Sequence, residues 1–239
     1  MPMPTVADGP EGVHTHGRAA YLPAAEAAVV ADLHVGRAAA SDAAGLLDER
    51  SDLRDRLSRV VEATDPETVV FAGDILDRFD GPTRRAAGTV RAIAGLVRAA
   101  GARPVAIAGN HDGGLAATWP GPVHDAYRLR DGTVVCHGDE RPEVDGNRYV
   151  CGHLHPALTA AGRKRDCFLG GQGGIHDRPV VVLPAFSTVA RGLRVERRER
   201  LDSPLVTDLN ALRPGVVDDD TGETLWFPPL GEVRRYLGR

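Results

Sequence analysis

Three short apolar runs, Ala27-Ala28-Val29-Val30-Ala31, Thr68-Val69-Val70-Phe71-Ala72 and Pro104-Val105-Ala106-Ile107-Ala108, each stop at a polar motif. Each is too short for a stable helix and too continuous for a half-exposed strand, so each reads as a strand buried on both faces. Between the first two, residues about 49–63 place Leu53, Leu57, Val60 and Val61 at helical spacing, with Arg, Asp and Glu on the opposite side. Ser51 is a candidate N-cap. Between the second and third, Pro82 suits the first turn of a helix running to about Ala100, before Gly101. Strand, motif and helix recur three times. That order predicts βαβ units and a parallel sheet with its chemistry at the carboxyl ends of the strands.

Beyond residue 125 strands accumulate and helices thin out. Residues 127–130 and 133–136 read as a hairpin around Asp131-Gly132. Residues 148–151, 157–159, 167–169 and 179–183 are further short strands, residues 218–227 a hairpin around Thr221-Gly222, and residues 230–237 a short helix. The expected architecture is α/β, with two packed mixed β-sheets flanked by helices. We expect one domain over residues 1–239, its core at about 27–187 and a strand, hairpin and helix appendage at about 188–239.

Five motifs follow one another: Asp32-Leu33-His34, Gly73-Asp74-Ile75-Leu76-Asp77, Gly109-Asn110-His111-Asp112, His137-Gly138-Asp139 and Gly152-His153-Leu154-His155. Alone, each is a weak signal. Together they give three Asp/Asn ligands and four imidazoles, with a fifth imidazole, His111, left over for chemistry. That count fits two adjacent divalent cations sharing one carboxylate. Placement just past a strand end fixes the backbone and leaves the side chain in an open cleft.

Composition narrows the rest. Net charge is −4 with both signs mixed along the chain, so no long basic tract marks a nucleic-acid partner. Lys164 is the only lysine. The run Arg191–Arg200 reads either as a nucleic-acid patch or as a solvated segment alternating Arg and Glu. Cys136, Cys151 and Cys167 are odd in number and form no Cys-x-x-Cys pair, which fits buried strand residues in a reducing cytoplasm. No signal peptide is recognisable at Met1-Pro2-Met3-Pro4, and no apolar stretch reaches the ~18 residues needed to span a bilayer.

The ordered motifs resemble the calcineurin-like metallophosphoesterase superfamily over residues 27–187. The Asp-Leu-His-Val-Gly start, the Gly-His-Leu-His-Pro-Ala run (152–157) and Leu-Pro-Ala-Phe (183–186) are similar to small archaeal phosphoesterases related to the SbcD nucleases. The resemblance implies a four-layer αββα sandwich. It implies that Asp32, His34 and His155 hold one metal, that Asn110, His137 and His153 hold the other, and that Asp74 bridges them. The metals would be Mn²⁺, with Fe, Zn²⁺ or Ni²⁺ as alternatives. A bridging hydroxide would attack phosphorus in line. His111 would stabilise charge and protonate the leaving oxygen, and Asp77 would orient His111. Arg37 and Arg78 are candidate substrate contacts.

The expected activity is phosphodiester hydrolysis, on a small diester, a nucleotide or single-stranded nucleic acid. Phosphomonoesterase or nucleotide phosphatase activity stays open, because the same ligands serve it. A non-catalytic scaffold is the reading from another class, and the complete ligand set weighs against it.

Overall fold

The structure, a computed structural model, describes residues 9–37, 49–77, 81–160, 162–190 and 192–237. Strands β1 (His14–His16), β2 (Ala19–Leu22), β3 (Ala27–Val30), β4 (Thr68–Ala72), β5 (Arg103–Ile107) and β6 (Val123–His124) form a six-stranded sheet in that order. Strands β3 to β6 are parallel; β1 and β2 add an antiparallel edge. Every residue of β3 and β4 is buried, as continuous apolar runs require.

Helix α1 (Glu49–Thr64) follows β3 and α2 (Arg84–Ala99) follows β4. Ser51 lies inside the first turn of α1 and is not its cap. Pro82 stands one residue before the cap of α2. Thr83 fills that position, its Oγ1 accepting from Ala86 N at 3.2 Å. The third βαβ unit departs from expectation. Between β5 and β6 the chain makes only a 3₁₀ turn, Leu115–Ala117, because Gly113, Gly114, Pro120 and Pro122 leave no uninterrupted helical stretch.

The second sheet contains β7 (Ala126–Arg128), β8 (Thr133–Cys136), β9 (Arg148–Cys151), β10 (Pro156–Ala160), β11 (Arg163–Gly171), β12 (Val180–Val182) and β13 (Leu193–Arg194), in the order β13-β10-β11-β12-β9-β8-β7. Strand β14 (Arg213–Val217) pairs with β11 and with β15 (Thr224–Trp226), giving the expected C-terminal hairpin.

Alternation along the strands separates three apolar layers. Ala28, Val30, Val69 and Phe71 pack with Leu53, Leu57, Val90 and Ile93 of the helices. Val29, Val70, Val135, Val150, Phe168 and Val181 fill the space between the sheets. Val134, Tyr149, Leu169 and Val182 face outward, where Leu201, Leu205, Leu209, Leu212 and Leu230 cover them. The fourth layer is thin: the cover over the second sheet is loop, 3₁₀ turns and α3 (Leu230–Val233).

Arg18, buried at the turn between β1 and β2, fastens the C-terminal hairpin to this frame. Its guanidinium donates to Ala185 O (2.9 Å) and Ser187 O (3.2 Å) and pairs with Asp219 (2.7 Å) and Asp166 (2.8 Å). Among the described residues no helix is long and apolar enough to cross a membrane.

Candidate metal centre

The motif loops follow β3, β4 and β5 of one sheet and β8 and β9 of the other. Each set is parallel and in register: Ala72 lies opposite Ile107, and Cys136 opposite Cys151. The loops therefore leave their sheets at one level, and the two ends meet over a single cleft.

The backbone there is unusual. Asp32 (φ 57°), His34 (47°), Asp74 (47°), His153 (67°) and His155 (42°) all take the left-handed conformation that side chains normally avoid. Local hydrogen bonds hold them so. Asp32 N donates to Gly73 O (3.1 Å) and His34 N to Asp74 O (2.9 Å). The Asp32 carboxylate accepts from His153 N (3.1 and 3.0 Å), and Asp74 Oδ1 accepts from His111 N (3.0 Å). Two glycines allow this crowding. A Cβ on Gly73 would lie 2.2 Å from His137 Nδ1, and one on Gly109 would lie 2.3 Å from Asp74 Oδ1.

Ring nitrogens converge in two pairs. His34 Nε2 stands 3.1 Å from His155 Nε2, and His155 Nε2 lies 3.4 Å from Asp32 Oδ1. His137 Nε2 stands 3.3 Å from His153 Nδ1 and 3.0 Å from Asn110 Oδ1. Asp74 lies between the pairs. Its Oδ2 is 3.9 Å from His34 Nε2, and its Oδ1 is 3.4 Å from His137 Nε2. Asp32, His34, Asp74 and His155 offer ligand atoms all within 4.8 Å of one another.

Burial sets the charge states. It drives His34 down to about 3, leaving a neutral imidazole with a lone pair to give. Burial also lowers His153. Burial alone would raise Asp32, but His155, His137 and His34 outweigh it and hold the carboxyl below its ordinary value. For His155 burial again opposes charge, and the nearby Asp32 reverses the sign, so its pKa is raised. Asp74 is raised, mainly by burial. Imidazole nitrogens beside carboxylate and amide oxygens are donors that suit divalent cations of the Mn²⁺, Fe, Zn²⁺ and Ni²⁺ kind. The buried thiols do not join them. Burial pushes Cys136 up to about 12 and Cys151 well above its ordinary value, and both belong to the outer apolar layer.

Other expected site residues fall around this centre. His111 projects at the cleft with 28% of its side chain exposed, its Nε2 4.0 Å from Asp74 Oδ2. Asp77, expected to orient His111, places its Oδ1 3.3 Å from His34 Nδ1. Ligand atoms of His34, Asp77 and His111 lie within 4.8 Å of one another. Arg37 pairs with Asp77 at 3.4 Å. Arg78 lies outside the described residues.

Asp112, the last residue of the third motif, ties two motif loops together. Its carboxylate accepts from Leu76 N (2.8 Å), Gly109 N (2.9 Å) and Ile75 N (3.2 Å). Burial raises its pKa to about 6. Only its place directly after His111 hinted at this part. His124, treated as incidental, stacks edge-on against Tyr127, and His176 hydrogen-bonds Arg141.

A family model described as calcineurin-like phosphoesterase matches residues 26–163. Among solved structures, the nuclease MPE of Pseudomonas putida is 22% identical, with a TM-score of 0.60 over 88% of this chain and 92% of that one. The phosphoesterase Yfce of E. coli is 14% identical, with a TM-score of 0.42 over 81% of this chain and 88% of that one. The likeness to the nuclease MPE concerns the fold alone. No curated protein matches the chain.

Proposed function

The chain belongs to the calcineurin-like phosphoesterase family and is a hydrolase of phosphoester bonds, and from this premise we propose that it cleaves phosphodiesters with two divalent metal ions, Mn²⁺ first among them. The observation that carries the reading is the central carboxylate of Asp74, set between two converging pairs of imidazoles. Asp32, His34 and His155 would hold one ion, Asn110, His137 and His153 the other, and Asp74 both. Bound there, the ions supply Lewis acidity toward a phosphoryl oxygen and make water acidic enough to act as a nucleophile near neutral pH.

The chain's own groups do the remainder. His111 reaches over the cleft from the loop after β5 and donates a proton to the leaving oxygen as the P–O bond breaks. Asp77 stands 3.3 Å from His34 Nδ1, where its charge would steer the ring of a metal-ligating imidazole. A diester is favoured over a monoester for a reason of charge. A monoester dianion carries one more negative charge to be matched, and Arg37 at the cleft is already paired with Asp77. The cleft also continues past Asn110 and His137 into a cavity of about 680 Å³, so a second ester group has room.

The test is turnover of purified protein with Mn²⁺ against bis(p-nitrophenyl) phosphate, p-nitrophenyl phosphate and single- and double-stranded DNA, beside chelated controls. Metal-dependent cleavage of the diester ahead of the monoester is expected. A preference for the monoester would make the protein a phosphomonoesterase. No turnover of any substrate by a fully metal-loaded protein would leave the scaffold reading.

A further inference from the structure

A basic groove of about 430 Å³ lies beside the centre, lined by Lys164, Gly192, Leu193, Arg194, Arg197 and Arg198. Its lining neighbours one expected ligand through the backbone: Leu193 N donates to His155 O at 2.7 Å, and β13 runs parallel to β10, which begins directly after His155. It extends toward the β10–β11 hairpin, where Lys164, the only lysine in the chain, stands opposite Thr159. Lys164, Arg197 and Arg198 are exposed. Glu196, the acid among these arginines, is 8% exposed with both carboxylate oxygens buried, so it adds little negative surface to the groove; Glu199 lies beyond its lining. Four cations therefore face one channel in a protein of net charge −4.

The other flank has the opposite sign. The cavity past Asn110 and His137 is lined by Asp125, Asp139, Glu140 and Glu143, with Arg141 the basic residue among them. A polyanion is drawn along the first flank and repelled from the second.

Resting on the phosphodiesterase reading above, we propose that this groove holds the sugar–phosphate backbone of a single-stranded nucleic acid, entering from the Lys164 side. The strand lies end-on: its long part follows Arg198, Arg197 and Arg194 toward His155, and no more than a short terminal piece crosses to the acidic flank. Such a groove binds backbone without reading bases, so affinity falls steeply with salt.

The experiment removes the charge without touching the centre. Wild type is compared with a variant carrying Lys164→Ala, Arg194→Ala, Arg197→Ala and Arg198→Ala, and with the milder pair Lys164→Ala and Arg197→Ala. Binding of a fluorescent single-stranded oligonucleotide to chelated protein is read by anisotropy over a salt series. Loss of about tenfold or more in affinity is expected, with the log–log salt slope flattened by roughly 2–3, since each single-strand phosphate contact contributes about 0.7. Turnover of bis(p-nitrophenyl) phosphate stays at the wild-type value in both variants. A linear oligonucleotide releases short end fragments, and a circular single strand is cut far more slowly. Unchanged oligonucleotide affinity overturns the proposal, as does a circle cut at the linear rate. Weakened binding to phosphatidylserine vesicles with unchanged oligonucleotide binding assigns the groove to a membrane surface and overturns it too. If wild type fails on bis(p-nitrophenyl) phosphate, the phosphodiesterase reading has failed; if only the groove variants behave as wild type, that reading stands and this one falls.

Discussion

On one side of Asp74, Asp32 and His34 are sealed from solvent at 0% and 1% exposure, and His155 is pressed against both. On the other, His137 is equally buried, but Asn110 is exposed and His153 partly so, and His111 stands in the open cleft. A closed half holds its ligands by packing and hydrogen bonds before any ion arrives. An open half leaves room for a substrate oxygen and its leaving group. On the proposed function, the difference separates a part that would bind metal from a part that would let chemistry in and out.

The largest effect should come from the residue that belongs to both halves. Asp74→Asn removes charge from both ion sites, so metal content should fall at both, and turnover should fall by more than the ~10²–10⁴ range of a positioned acid–base group. Metal analysis beside kinetics checks it. Two tightly held ions with near-normal turnover would separate Asp74 from the bridging role.

Next comes His111 on the open side. His111→Ala should keep both metals and lose ~10²–10⁴ in turnover. A nucleoside alkoxide, which needs a proton to depart, should suffer more than a nitrophenolate. Equal losses would show positioning or charge stabilisation in place of proton donation. Loss of one ion would place His111 among the ligands and erase the contrast between the two sides.

Asp77 tests the closed side. Asp77→Asn should cost ~10–100-fold in metal affinity or activity, through the His34 ring. If metal affinity holds and only poor leaving groups slow, Asp77 serves His111 as the sequence suggested.

The smallest effect is electrostatic and needs chelated protein. Folding takes His34 from an ordinary 6.5 to about 3. Between those values the unfolded chain binds a proton that the folded chain does not, so this group's stability is complete above about 6.5 and is lost as pH falls toward 3. His155 acts with the opposite sign. Its raised pKa gives stability below the ordinary value that fades as pH rises through the folded one. His34→Asn should therefore reduce the acid loss seen in urea midpoints as pH falls from about 6.5 toward 3 and leave the His155 contribution. Identical slopes in wild type and variant would mean that His34 is hydrated in the metal-free state.

Much of this was legible in order along the chain. Buried strands announce themselves as short apolar runs, and Ala27–Ala31, Thr68–Ala72 and Pro104–Ala108 place the motifs that end them. What pairs across the fold was not legible. Asp77 meets His34 because both loops leave neighbouring parallel strands, a contact that local pattern does not encode. Helix periodicity cannot report which face of the second sheet goes without a long helix, and β1 is too short to stand out from a Gly-rich start. The left-handed turns at five expected ligands were hidden for another reason: Asp and His enter that region more readily than most side chains, but their presence does not select it, and only the neighbouring glycines hinted at crowding.

Arg18 shows why the family model's range and the folding unit need not coincide. The matched stretch stops at residue 163, yet the carboxylates that neutralise this buried guanidinium, Asp166 and Asp219, both come later. So do Ala185 and Ser187, whose carbonyls it holds; the neighbouring amides of Phe186 and Ser187 bond back to Ala31 O (2.8 Å) and Asp32 O (3.4 Å). A chain truncated after the hairpin of β10 and β11 would keep every expected ligand and lose the clamp behind Asp32. It would leave the Arg18 guanidinium in the interior with Asp166 alone to neutralise it, the pairing with Asp219 and the carbonyls of Ala185 and Ser187 gone. The last quarter of the polypeptide is thus not a trailing ornament but part of what keeps the first ligand in place.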